Sequence, residues 1–140
     1  MIEFQNIKCD LKINEKIFSS WLNKIIIEEK KILGDIVYVF CDDDYLLDLN
    51  IKFLNHNTLT DVLTFEYSKG DVISGDILIS IDTVNKNAKT FGVHFLNELQ
   101  RVMAHGLLHL LGYNDKTERE KKEMKEKEDF YLKKCEANNI

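Results

Sequence analysis

His105 and His109 are the residues of this 140-residue chain whose type and spacing speak most directly of chemistry. On a helix, positions four apart lie one above the other, so both imidazoles can converge on a single point, as two ligands of a metal ion must. Leu107, Leu108, Leu110 and Leu111 lie around them, so this helix is expected to be buried. Imidazoles near a core are costly unless something polar satisfies them, and a metal ion would do so. Gly112 can end the helix in a left-handed conformation, letting Asp115 arrive from outside it as a third ligand. Two imidazoles, one carboxylate and an open position for water form the donor set of a catalytic zinc site.

Gly106 stands directly after the first histidine, where zinc peptidases of the HExxH type carry the glutamate that acts as general base. That chemistry is therefore disfavoured. Proton abstraction falls to water acidified by the metal, or to a carboxylate from elsewhere, with Asp61, Asp76 and Glu98 as candidates. His56, in a polar turn, reads as exposed. His94, just after Gly92-Val93, reads first as a loop or capping residue and second as a rival ligand. Arg101 precedes His105 by four residues on the same face, where it can hold a substrate phosphate or pair with Glu98.

The elements that must position these residues can be read in order. Met1 to Cys9 alternates loosely and suits an edge strand. Asn14 can cap a helix from Glu15 to about Lys31, whose stripe is Phe18, Trp21, Leu22, Ile25 and Ile26, with Gly34 ending the segment. Ile36 to Phe40 reads as a buried strand. Asp42, Asp43 and Asp44 follow, and acids there are read as a helix start, the helix running to about Asn55, before they are read as a metal cluster. Thr60 to Tyr67 and Gly75 to Ile81 are strands close enough in sequence to pair antiparallel. Asp82 or Thr83 can cap a helix ending at Gly92, and the histidine helix runs from about Phe95 to Leu111. Thr117 to Lys134 has balanced charge and a thin stripe of Met124 and Tyr131, which suits a surface helix docked by one face rather than a basic RNA-binding arm.

Composition sets the outer limits. With 44% hydrophobic and 31% charged residues, the chain is expected to be an ordinary globular protein of one domain, residues 1–140. No apolar run reaches membrane-spanning length and the N-terminus lacks a signal-peptide pattern, so a cytoplasmic location is expected. Cys9, Cys41 and Cys135 are widely spaced and read as reduced thiols. A net charge of −5 excludes a strongly basic nucleic-acid binder, though it leaves room for a local basic patch.

The segment His105-Gly-Leu-Leu-His109-Leu-Leu-Gly112-Tyr113-Asn114-Asp115 resembles the HGxLHLxGYDH signature of the YbeY family of bacterial endoribonucleases and rRNA maturation factors. Leu49-Asn50 with Thr60-Asp61-Val62-Leu63-Thr64-Phe65 is similar to the family's LN…TDVLSF block, and Gly75-Asp76-Ile77 to its GDI strand. The resemblance spans nearly the whole chain. It implies an α/β (α+β) fold: a small mixed sheet of about four strands packed on helices, with the metal site on the penultimate helix. It also implies a zinc-dependent, single-strand-specific endoribonuclease acting in small-subunit rRNA 3′-end processing, ribosome assembly and quality control. His105 and His109 become the first two metal ligands, with Asp115 where the family has a third histidine. The family's arginine, four residues after the LN asparagine, is here Leu54, leaving Lys52 or Arg101 as substitutes for holding RNA. A second reading is an assembly factor with a mainly structural metal, docking on a ribosomal protein or GTPase.

Overall fold

In the computed structural model, which describes residues 1–54 and 60–135, the chain alternates strands and helices around one sheet. The order is β1 (Ile2–Asn6), α1 (Glu15–Glu28), β2 (Ile32–Cys41), α2 (Asp43–Leu54), β3 (Val62–Glu66), β4 (Val72–Ser80), α3 (Ile81–Phe91), α4 (Phe95–Leu110) and α5 (Glu118–Leu132). The sheet runs β1-β2-β4-β3. β1, β2 and β4 are parallel, whereas β3 pairs antiparallel with β4, as their short separation predicts. This is the expected α/β fold with a mixed sheet.

Alternation along the strands divides the core. Ile36, Tyr38 and Phe40 of β2, with Ile77 and Ile79 of β4, meet Trp21 and Ile25 of α1 and Leu107 and Leu108 of α4 in the main cluster. Val39, Cys41 and Leu78 turn the other way and meet Leu46 of α2 in a smaller one. Two buried hydrogen bonds fix the main layer. Tyr38 Oη donates to the Met103 carbonyl of α4 at 2.9 Å, and Trp21 Nε1 donates to the Tyr131 carbonyl of α5 at 2.8 Å.

Several boundaries differ from the sequence reading. Asn14 caps α1 as expected, its Oδ1 accepting from Ile17 N at 3.2 Å, but the helix ends at Glu28 rather than near Lys31. The turn falls to Lys30, in the left-handed region at φ 61°, and Gly34 lies inside β2. There a side chain would collide with Ser74 and the Ile73 carbonyl of β4, so Gly34 serves strand approach and not helix termination. Ser80, rather than Asp82 or Thr83, caps α3. The three aspartates behave as helix-start residues. Asp42 accepts from Tyr45 N at 2.9 Å, and Asp43 accepts from the Ser80 and Thr83 hydroxyls, linking α2 to α3. Thr117 and Glu120 close a capping box at the start of α5.

Candidate metal centre

α4 is laid against the sheet by close approach at Gly106. A Cβ there would stand 2.7 Å from Ile77 Cγ2, so only glycine lets the helix rest on β4 at this depth. An adjoining stripe of α4 then carries Glu98, Arg101, His105 and His109 in one row. Gly112, at φ 105°, ends the helix as expected. Tyr113 N donates to the Leu108 carbonyl at 3.0 Å across the turn, and the chain doubles back to Asp115.

His105 Nε2, His109 Nε2 and Asp115 Oδ2 form a triangle with sides of 2.9, 3.3 and 3.4 Å. A tetrahedral zinc ion with bonds near 2.0–2.1 Å holds its ligand atoms about 3.3 Å apart. The hydrogen-bond partners make the same point. His105 Nδ1 stands 2.6 Å from Glu128 Oε2, and His109 Nδ1 stands 3.0 Å from the Tyr113 carbonyl. Both partners are acceptors, so each Nδ1 carries its proton and each Nε2 turns a lone pair inward. With both imidazoles neutral, three acceptor atoms then converge on one point. The three residues could hold a metal ion. Among the described residues they are the group of His, Cys, Asp and Glu side chains close enough to do so.

The remaining candidates separate cleanly. Burial opposes protonation of His105, but the hydrogen bond and charge of Glu128, with Asp115 and Asp61, outweigh it and hold its pKa above the ordinary value. Burial likewise pushes the Asp61 carboxyl up, against the pull of His105. Burial and the neighbouring Asp61 push Glu98 up, against Arg101. Asp61 and Glu98 therefore share the electrostatic field of the site. Asp76 does not belong there. It alternates onto the other face of β4, where Tyr67 Oη donates to it at 3.2 Å, so Asp76, a candidate base by sequence, is not placed to serve this site.

Arg101 pairs not with Glu98 but with α5, Nη1 on Glu128 at 3.0 Å and Nη2 on Asp129 at 2.7 Å. It lines a cleft of about 680 Å³ that also exposes His105 and Asp115. Lys52 lies exposed on α2 and does not line this cleft. His94 occupies the exposed N-cap position of α4, and His56 falls outside the described residues.

Glu128 is the site residue that sequence reasoning missed. It is only 7% exposed, a carboxylate set between Met124 and Tyr131 on the apolar stripe of α5. A charge on a buried stripe was the available signal, hidden by the many glutamates around it. A second, half-buried node supports the ligand turn. Glu29, at the end of α1, accepts from Tyr113 Oη, Tyr131 Oη and Lys127 Nζ, fastening that turn to α1 and α5.

Fold and site together define an α/β protein with a three-residue group able to hold a cation at the foot of a cleft. The solution structure of TM1509 from Thermotoga maritima is similar, with a TM-score of 0.68 and 29% identity, covering 99% of this chain and 91% of that one. The family described as Endoribonuclease YbeY matches residues 2–136. The chain belongs to the YbeY family. Among its relatives, the Endoribonuclease YbeY of Flavobacterium psychrophilum is 50% identical over 134 residues, 95% of each chain. That of Azobacteroides pseudotrichonymphae is 45% identical over 125 residues, 89% of this chain and 90% of the relative.

Proposed function

We propose that this protein is a metal-dependent, single-strand-specific endoribonuclease acting in rRNA maturation, with His105, His109 and Asp115 as the ligands of one zinc ion. The triangle of inward-facing acceptor atoms supports this reading most directly. When bound, a divalent ion supplies Lewis acidity to a phosphoryl oxygen and acidifies water. The chain's own residues do the rest. Glu128 holds the His105 Nδ1 proton and so keeps Nε2 free to bind. Arg101 braces Glu128 from the other oxygen and brings positive charge to the cleft wall, favouring an incoming phosphate. Asp61 and Glu98, with pKa values raised by burial, are suited to accepting and returning the proton of the attacking hydroxyl. The carboxylate at Asp115 makes the ion a weaker Lewis acid than a third imidazole would, and more tolerant of harder metals.

The test is metal analysis of the purified protein joined to cleavage of single-stranded rRNA fragments by wild type and His105→Ala. One metal per chain and cleavage, both lost in His105→Ala, are expected. Undiminished cleavage by a verified metal-free His105→Ala/His109→Ala protein defeats the reading. The exposed position of Lys52, away from the cleft, and the exposed Leu54 favour a second reading in part: an assembly factor docking on a ribosomal protein or GTPase, its metal structural. Rescue of ribosome maturation by folded ligand variants selects that one. No helix among the described residues is long and apolar enough to cross a membrane, which is compatible with the cytoplasmic work proposed.

A further inference from the structure

The cleft beside the ligand triangle has two unlike parts. Half-buried His105 and Asp115 line it together with four exposed residues that form its outer walls, Lys121 and Lys125 on α5 and Phe91 and Val93 at the turn between α3 and α4. We propose that these outer walls are a single-stranded RNA subsite, with Lys121 and Lys125 on successive phosphates and Phe91 as the platform for a base. The proposal rests on the nuclease reading of the site and adds how the strand is held.

The lysines are placed for this by helix geometry. Four residues apart on α5, they share one face about 6 Å apart along the axis. Of the neighbouring lysines, Lys127 and Lys134 are paired with Glu29 and Glu28, and Lys122 and Lys133 do not line the cleft. Lys121 meets Glu118 at 3.5 Å, but that carboxylate is almost wholly in water and holds it weakly. Among the described residues, Lys125 has no ion-pair partner. One unpaired and one weakly paired lysine, both exposed on the cleft lining, offer positive charge to an anionic chain there, in spite of the protein's net charge.

Phe91 supplies the other half. It ends α3 immediately before the left-handed cap Gly92 and stands 64% exposed on the cleft lining, leaving much of its ring open to a ligand. In one cleft with two lysines, an exposed aromatic makes the combination that single-strand binders use. The base stacks without sequence preference while the phosphates meet lysine. A duplex offers no free base face, so the subsite selects unpaired strands. The cleft, at about 680 Å³, has the size of a small-ligand site, enough for a short stretch of strand and too small for a duplex.

The probe is a fluorescein-labelled 2′-O-methyl decauridylate, which lacks the free 2′-hydroxyl, read by anisotropy against metal-loaded protein. Lys121→Ala/Lys125→Ala is expected to reduce the slope of log affinity against log salt by about 1.4, two phosphate contacts on a single strand. Phe91→Leu, which keeps an apolar side chain but no ring face, is expected to weaken binding about tenfold, and Phe91→Trp to retain it. An unchanged slope in the lysine variant, or wild-type affinity in Phe91→Leu, overturns the subsite. All three positions are exposed, and thermal melting verifies that each variant is folded. The two readings fail differently. If metal-loaded wild type binds the probe as described yet never cuts natural RNA, the subsite stands and the nuclease reading falls. If the lysine variant cuts with unaltered KM, the subsite falls and the nuclease reading stands.

Discussion

Glu128 Oε2 lies 2.6 Å from His105 Nδ1, while the other oxygen of the same carboxylate takes Arg101 Nη1 at 3.0 Å. One buried acid on α5 thus orients a proposed ligand and anchors the cation beside it. Glu128→Gln keeps the shape but removes the charge, and is expected to lower zinc affinity about 10- to 100-fold, as loss of a carboxylate behind a ligating imidazole does. Competition against a chromophoric chelator measures this. Affinity equal to wild type would assign Glu128 to packing alone.

Gly106 gives a stability prediction. Its absent Cβ leaves room for Ile77, and Gly106→Ala forces a contact of 2.7 Å between α4 and β4. Alanine improves helix propensity by about 1 kcal/mol, but overpacking costs about 1–3 kcal/mol, so overpacking is expected to win. Urea unfolding should show a net loss of about 1 kcal/mol. A gain would mean that the helix can lift from the sheet without penalty.

Glu29 carries an acid-sensitive contribution. Burial opposes its charge, but hydrogen bonds from Tyr113, Tyr131 and Lys127 outweigh burial and hold its pKa below the ordinary carboxylate value. A lowered folded-state pKa stabilises the fold fully above the unfolded value, about 4.3, and the contribution is lost as pH falls through the folded value. The stability gap between wild type and Glu29→Gln should therefore be widest near neutrality and narrow towards about pH 3. A gap independent of pH would show that the charge of Glu29 contributes nothing.

Gln100 is fully buried on α4, and among the described residues neither its Oε1 nor its Nε2 has a hydrogen-bond partner. An unpaired buried amide costs about 1–3 kcal/mol. Gln100→Leu, similar in volume, is expected to raise stability by about 1 kcal/mol in thermal or urea unfolding. Destabilisation would reveal a partner for the amide, such as an internal water.

Periodicity and spacing determined much of this protein before any coordinates. The hydrophobic stripe of α1, the β3–β4 pairing and the i,i+4 histidines with Gly112 and Asp115 are local patterns, and local patterns survive in one dimension. Helix ends were less legible, because Lys30 took a left-handed turn that sequence assigns to glycine, and Gly34 was spent on strand approach. Only the tertiary structure decided which acids attend the histidines. Asp76 was removed by strand alternation, which puts it on the far face of the sheet. Glu128 was brought in from 23 residues away by the docking of α5 on α4. Arg101 found its partners on that same helix rather than one turn back on its own. A residue's own spacing tells which face it occupies; what meets that face is settled by packing between elements far apart in the chain.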